Sequence, residues 1–316
     1  MLAVVVGNGS IEIAARAEPT PRERELLVRV AAAGLNAADL LQRAGLYPPP
    51  HGVDPSIPGL EIAGVVVATG PEATAFARGD PVMGLVGGAG QAELALVDER
   101  NALRVPAGVS WAEAGGFAEA FCTAHDALFS QGALVAGERV LVTGAAGGVG
   151  LATVQLAAAV GAEVTAAVRD ARRRAAVAAF GARVVPPDEA WDAAPYDLVV
   201  ELVGAPNLVA DLAALALGGR IVVIGVGAGA RTEIDLFALM ARRARLMGST
   251  LRARSIEEKA AVVHGVAKDV IPLLAARRVV VPIDATYPLD RAADAYERFS
   301  TPGKLGKIVL VFGGTG

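Results

Sequence analysis

Cysteine is all but missing from this chain: Cys122 is the only one in 316 residues. No intrachain disulfide and no multi-cysteine zinc cage can form, and the usage fits a reducing compartment, so a cytoplasmic protein is expected. An excess of positive charge is missing too. The 29 lysines and arginines are outnumbered by 33 aspartates and glutamates, for a formal net charge of −4, which gives no bulk attraction to nucleic acid or to an anionic membrane. Neither partner is expected. No apolar run is long enough to span a bilayer without a glycine or a charge interrupting it. The opening MLAVVVGNGSIEIAARAEP lacks a basic leading region and is broken by Gly7 and Gly9, unlike a signal peptide. Internal repeats and low-complexity linkers are also absent.

What is present is a large apolar fraction, 53% hydrophobic against 20% charged, with alanine rather than aromatic residues supplying most of it. Such a chain packs as a globular α/β protein, and its length suggests two domains. From Met1 to about Leu103 the pattern is of short strands punctuated by glycine and proline. Strands are expected at Met1 to Val6, Ile11 to Ala15, Leu26 to Ala33, Ile62 to Thr69, Pro81 to Leu85 and Ala92 to Val97, with one helix at Ala37 to Arg43. From Trp111 onwards helices and strands alternate. Strands at Glu163 to Val168, Arg183 to Val185, Asp197 to Leu202, Arg220 to Gly225 and Arg245 to Gly248 follow one at Arg139, which makes about six and a doubly wound sheet of Rossmann type. A helix from Ser255 to Arg277, a strand from Val279 to Tyr287, a helix from Leu289 to Phe299 and a strand from Lys307 to Phe312 do not fit that sheet and are expected to return to the first domain.

The stretch RVLVTGAAGGVGLATVQLAAAVG, Arg139 to Gly161, organises the rest. A β-branched run suited to a strand covered on both faces ends at glycine, and Leu151, Val154, Leu156, Ala157 and Val160 then recur at helical spacing until Gly161. Between them lies the turn Ala145, Ala146, Gly147, Gly148, Val149, Gly150. Gly147 lets the backbone approach a pyrophosphate, Gly150 lets helix pack on strand, and free N–H groups at the helix start face the anion. Ala145 stands where the first glycine of the dinucleotide fingerprint would be. The end of the second strand reads Val168-Arg169-Asp170 and then Arg172, Arg173 and Arg174. An acidic residue there serves the ribose 2′-hydroxyl of NAD, whereas a 2′-phosphate wants arginine or lysine. Arg169 favours NADPH; the adjacent Asp170 would repel a phosphate or serve NAD if the strand ran one residue further.

Several longer segments carry a family resemblance. NAADLLQRAGLYPPPHGVDPSIPGLEIAGVVVATG (Asn36 to Gly70), AEAFCTAHDALF (Ala118 to Phe129), TGAAGGVGLATVQLA, LGGRIVVIG, GSTLRAR (Gly248 to Arg254) and GKIVL (Gly306 to Leu310) resemble the zinc-independent quinone oxidoreductase branch of the medium-chain dehydrogenase/reductase superfamily. The resemblance implies a GroES-like catalytic domain over residues 1–111, a Rossmann domain over 112–250, a return to the catalytic domain over 251–316, NADPH as reductant and a homodimer. It implies cofactor contacts at Thr123, Ala146, Gly147, Gly148, Val149, Gly150, Arg169, Arg173, Gly225, Val226, Thr250 and Leu251, and a substrate site at Tyr47 and Asn36. In the zinc-dependent alcohol dehydrogenases of the same superfamily the catalytic ligands fall where this chain has Asn36, Leu60 and Glu119, and one carboxylate does not make a catalytic zinc site. Metal-free chemistry is therefore expected.

Tyr47 would donate to a carbonyl oxygen that gains charge as hydride arrives; a loop tyrosine packed on Pro48 to Pro50 is the plainer reading. Asn36 would bond cofactor or substrate oxygen, or else cap the following helix. Thr123 would face the cofactor or bond its own helix backbone. Asp39 and Arg43, four apart on one helix, can pair as scaffold. Arg252 and Arg254 suit the nicotinamide end of the site, a dimer contact or a helix entry. His51 and His125 are read as non-catalytic, and His264 lies on a surface-like helix. The function expected is NADPH-dependent reduction of a quinone or similar conjugated carbonyl. Reduction of an enoyl or alkenal double bond and non-catalytic NADPH binding are the alternatives.

Overall fold

The computed structural model describes residues 1–7 and 9–313. Two compact units divide the chain, one built from Met1–Cys122 with Leu251–Gly316 and the other from Thr123–Thr250.

The first unit begins with a hairpin of β1 (Leu2–Gly7) and β2 (Ser10–Ala15) and continues through β3 (Glu25–Gly34), α1 (Ala37–Arg43), β4 (Glu61–Thr69), β5 (Pro81–Leu85), β6 (Leu94–Asp98) and β7 (Ala102–Arg104). Strand β3 is the backbone of this unit. In its first half Leu26, Val28 and Val30 alternate inward with period two, while from Val30 to Gly34 every residue is buried. The reason is that α2 (Trp111–Gly115) lies on that half, with Gly115 so close to Ala32 that a methyl group would clash. Helical texture thus begins before the first unit ends, and α3 (Ala118–His125) carries the chain out of it. Helix α3 runs on into a π-helical segment, Asp126–Gln131.

The second unit contains β8 (Arg139–Val142), α4 (Gly148–Ala159), β9 (Glu163–Ala167), α5 (Ala171–Ala178), β10 (Arg183–Val185), β11 (Tyr196–Glu201), α6 (Ala205–Ala213), β12 (Leu215–Val223), α7 (Leu236–Arg242) and β13 (Arg245–Gly248). Its six strands are all parallel in the order β10-β9-β8-β11-β12-β13. This is the doubly wound Rossmann order, with the reversal between β8 and β11. Val140, Leu141 and Val142 are fully buried, as are Leu198, Val199 and Val200, because helices cover both faces. Helix α4 is buried continuously from Gly150 to Ala157, and its two polar residues satisfy themselves on the helix backbone, Thr153 Oγ1 to the Val149 carbonyl at 2.8 Å and Gln155 Nε2 to that of Leu151 at 3.1 Å. By contrast α7 has no buried residue and β13 is an open edge strand.

The chain then returns to the first unit as α8 (Ile256–Asp269), α9 (Ile271–Ala275), β14 (Ile283–Pro288), α10 (Ala292–Ser300) and β15 (Lys307–Val311). The main sheet there runs β14-β15-β3-β4-β5-β7, with β6 also paired to β3. Its core includes Val28, Val30, Ile62, Val66, Ile308 and Leu310, closed by Ala292, Ala295 and Tyr296 from one face of α10. Three expectations need correcting. The helix expected over 255–277 breaks at Val270, since Pro272 cannot continue a hydrogen-bond ladder and instead sits in the first turn of α9. The strand expected from Val279 starts only at Ile283, after Pro282. Strand β7 was not foreseen. Among the described residues no helix is long and apolar enough to cross a membrane.

Gly64 of β4 lies against β3, where an added methyl would collide with the Arg29 carbonyl oxygen. Gly64→Ala is expected to destabilise the protein by about 1–3 kcal/mol, the cost of overpacking a close contact, measured as a lower midpoint of urea unfolding.

Candidate active site

In the first unit a buried polar cluster gathers where β3, β4 and β15 meet. Lys307, the first residue of β15, is 4% exposed, and Glu61, the first of β4, is fully buried; Lys307 Nζ lies 2.7 Å from Glu61 Oε1. The same ammonium donates to Asn36 Oδ1 at 2.6 Å and to the Leu35 carbonyl at 2.9 Å, so all three of its protons are used. Asn36 Nδ2 donates to Glu61 Oε1 at 2.9 Å and to the Gly34 carbonyl at 3.3 Å. On its other oxygen Glu61 accepts the backbone N–H of Glu119, at 2.9 Å. Burial of this kind is tolerable because every polar atom of the ion pair has a partner.

Asp39 sits one turn into α1 but does not serve Arg43 as helical spacing suggested. Its carboxylate turns inward and accepts from the N–H groups of Asn36 (2.8 Å) and Gly59 (2.9 Å) and from Gln91 Nε2 (3.3 Å). Gln91 Oε1 in turn accepts from the Tyr296 hydroxyl at 2.8 Å. Burial pushes the Asp39 carboxyl up to about 6, against the two backbone hydrogen bonds that favour the anion. Glu119, at the start of α3, is pushed further, to about 8, by burial first and then by the charge of Glu61.

Tyr47 lies in the loop after α1, half-buried, and Arg252 holds that loop in place. The Arg252 guanidinium donates to the carbonyls of Tyr47 (2.8 Å) and Gly87 (2.9 Å) and to Gln42 Oε1, and stands 5.1 Å from the centre of the Tyr47 ring. Its contacts describe an anchor for this loop, a role not among the three read for Arg252 from sequence. The Tyr47 hydroxyl has no partner among the described residues. Its acidity is weakened, by burial first and then by the charge of Glu119.

The second unit carries the nucleotide-type turn. Strands β8, β9, β12 and β13 are parallel, so the Ala146–Gly150 turn, Arg169, Gly225 with Val226, and Thr250 all follow carboxyl ends on one edge of the sheet. A methyl group on Gly150 would come within 2.6 Å of Ala145 Cα, and one on Gly225 would strike the Leu202 carbonyl, so both glycines are needed for packing. Gly147 differs: it has an ordinary extended backbone (φ −78°), and its nearest neighbour to an added methyl is 3.6 Å away. Among the described residues there is room for a side chain there. It is the N-cap residue of α4 and offers no side chain to the helix's first N–H groups, which leaves them for an outside anion. Asp170, whose role was open, caps α5 through the Arg172 N–H (3.0 Å) and pairs with the Arg172 side chain at 2.9 Å. Arg174 Nε bonds the Val168 carbonyl at 3.0 Å, and Arg169 is exposed. Thr123 is buried on α3 and makes no hydrogen bond back to its helix; Leu251 is buried and counts with the first unit.

Residues 22–133 match the alcohol dehydrogenase GroES-like domain family, and 148–266 match the family described as zinc-binding dehydrogenase. The chain is 31% identical over 315 residues to the quinone oxidoreductase of Rattus norvegicus, covering 93% of this chain and 91% of that one. This protein is a quinone oxidoreductase-like member of the medium-chain dehydrogenase/reductase superfamily. Its α/β fold, Rossmann sheet plus GroES-like unit, is the superfamily's, and it is an oxidoreductase of a group that binds nicotinamide nucleotides. A mycobacterial structure complexed with NADPH superposes with TM-score 0.86 and 28% identity, over 98% of this chain and 100% of that one. A cobalt- and zinc-bound thermostable alcohol dehydrogenase from Pyrobaculum aerophilum does so with TM-score 0.83 and 30% identity, over 98% and 99%.

A zinc ion of the dehydrogenase type does not fit the residues present. Asn36 stands at the first ligand position with its amide engaged by Lys307 and Glu61, Leu60 at the second is a buried hydrocarbon, and the Lys307 ammonium already supplies the local positive charge. A nicotinamide nucleotide does fit, at the turn headed by Gly147. Glu61 and Lys307 were not among the residues singled out from sequence. A glutamate and a lysine each opening an apolar strand were the available signal. Lys307→Met, which strands the Glu61 charge, is expected to cost about 3–5 kcal/mol, read as a large fall in unfolding midpoint.

Proposed function

We propose that this protein is an NADPH-dependent, zinc-independent reductase of quinones or similarly conjugated carbonyls. The observation that carries the reading is the Lys307 ammonium locked between Asn36 and Glu61. A site whose cation is built in, and whose protons are all committed, has no Lewis acid with which to activate an alcohol. An acceptor that is electrophilic by its own conjugation needs none. The chain supplies position, exclusion of water and hydrogen bonding.

The nucleotide pyrophosphate would rest on the N–H groups of Gly148, Val149 and Gly150, with Gly147 permitting close approach. Arg169 would take the 2′-phosphate, joined by Arg173, and Asp170 is no obstacle because Arg172 and its own helix cap occupy it. When bound, NADPH supplies the hydride. Ala146, Thr123, Gly225, Val226, Thr250 and Leu251 are assigned as further cofactor contacts. Tyr47 donates its hydroxyl hydrogen bond to the acceptor oxygen, from a loop fixed by Arg252. Asn36 acts behind it, since both its N–H protons are committed to Gly34 and Glu61 while its oxygen holds Lys307.

The protein is further proposed to be a homodimer through the open edge of the second unit. Leu236, Phe237 and Met240 are 67%, 76% and 70% exposed on α7, and β13 ends the sheet with an edge that no other strand pairs among the described residues; exposed apolar side chains and an open strand edge both invite pairing.

Initial rates with NADPH and NADH, menadione as acceptor and EDTA present, test the first proposal: chelator-resistant oxidation preferring NADPH is expected. Arg169→Gln should raise the KM for NADPH by about ten- to a hundredfold, the loss of one charge-assisted hydrogen bond, and leave that for NADH unchanged. A wild-type preference for NADH would refute the 2′-phosphate assignment. For the dimer, sedimentation of Phe237→Asp should give a monomer where the wild type gives twice that mass; a wild-type monomer would rule it out.

A further inference from the structure

We propose that Glu119 is the proton donor of this site, protonating the acceptor oxygen once hydride has arrived. The inference rests on the reductase reading above and assigns the step that reading leaves open: where the second hydrogen comes from.

The argument is one of committed partners. Glu119 lies at the start of α3 with its own N–H fixed on Glu61 Oε2, so its backbone is pinned beside a buried anion. The one ammonium in contact with that anion, Lys307, has spent its three protons on Leu35, Asn36 and Glu61. Among the described residues no hydrogen bond or ion pair claims the Glu119 carboxyl. A second negative charge placed there would face Glu61 from β4 and Asp39 from α1. Against these stand Lys307 from β15, Arg252, which is turned onto Gly87, Tyr47 and Gln42, and Lys259 from α8. The balance keeps Glu119 protonated until about pH 8. Glu119 is not sealed off as a residue, so the carboxyl, though itself buried, can be reprotonated from water. Tyr47, whose hydroxyl holds its proton more tightly than usual, can orient the oxygen through a hydrogen bond while Glu119 gives the proton up.

The step balances. The quinone gains two electrons and one hydrogen nucleus as hydride from the reduced nicotinamide, which is left oxidised, and becomes a hydroquinone monoanion. The Glu119 O–H bond breaks, a new O–H bond forms on the acceptor, and the Glu119 carboxylate recovers a proton from solvent.

The kcat of the wild type with saturating NADPH and menadione should be flat below about pH 8 and fall tenfold per unit above it. Glu119→Gln should lower kcat by about 10²–10⁴-fold and abolish that alkaline fall, and Glu119→Asp should keep the fall at an intermediate rate. In cofactor-free protein, infrared difference spectra of wild type against Glu119→Gln at pH 7 should contain a protonated-carboxyl C=O band that disappears above pH 8. A Glu119→Gln enzyme with the wild-type rate and alkaline fall, or a wild type without the band, overturns this proposal alone. A wild type that binds NADPH and reduces neither menadione nor an enone overturns the reductase reading and this inference with it.

Discussion

The contact between Lys307 and Glu61 sets the terms for the rest of the first unit. Two full charges taken out of water are costly, and their mutual attraction offsets that only when the remaining lone pairs and protons are also satisfied. Here they are: the ammonium finds a carbonyl, an amide oxygen and a carboxylate, while the carboxylate finds the ammonium, an amide N–H and a backbone N–H. Each of those partners is thereby positioned. Asn36 fixes the exit from β3, Glu119 fixes the entry to α3, and Lys307 fixes the register at which β15 starts. The chemistry proposed for the site follows from the same economy, since a cluster with no donor to spare cannot also neutralise Glu119.

The second unit is organised by geometry rather than charge. Six parallel strands put the loops that follow β8, β9, β12 and β13 along one edge, and α4 must approach β8 closely enough that Gly150 tolerates no side chain. Packing therefore accounts for Gly150, while Gly147 meets no such constraint and is left for the proposed nucleotide contact. That contrast between two neighbouring glycines is stronger than the motif alone, because a tight strand-to-helix turn would need the first and not the second.

Much of the scaffold was legible in the residue pattern. Helix α1 is found over Ala37–Arg43, and β5, β10 and β13 have the expected bounds; of these only β5 is a run of buried residues, so the others were marked by local residue type rather than by burial. Strand β7, three residues long, is too short to display alternation. Pro272 and Pro282 cut elements that hydrophobic spacing alone would extend, because periodicity reports the buried face and not the hydrogen-bond ladder. The site was less legible. Asp39 and Arg43 have the spacing of a surface pair, but Gly59 and Gln91, supplied by distant segments, draw Asp39 inward. The meeting of Glu61 with Lys307 is likewise a property of sheet order, and nothing local to either residue announces it. Asn36 belongs to a third kind: the residue was singled out, and only the contacts reveal that its amide faces the cluster's ion pair.

Strand β15 lies between β14 and β3, in the interior of the first unit's sheet rather than at its edge. On a ribosome, β3 emerges early and can pair with β4 and β6, but its edge at Ala32–Gly34 lacks a neighbour until β15 has been made. The second unit is contiguous and can complete its sheet during that interval. Synthesis therefore releases a finished nucleotide fold attached to a half-built partner whose apolar strand edge is open, and the first unit closes last, by a pairing of high sequence separation. During that interval the free edge of β3 is open to pairing with a wrong strand.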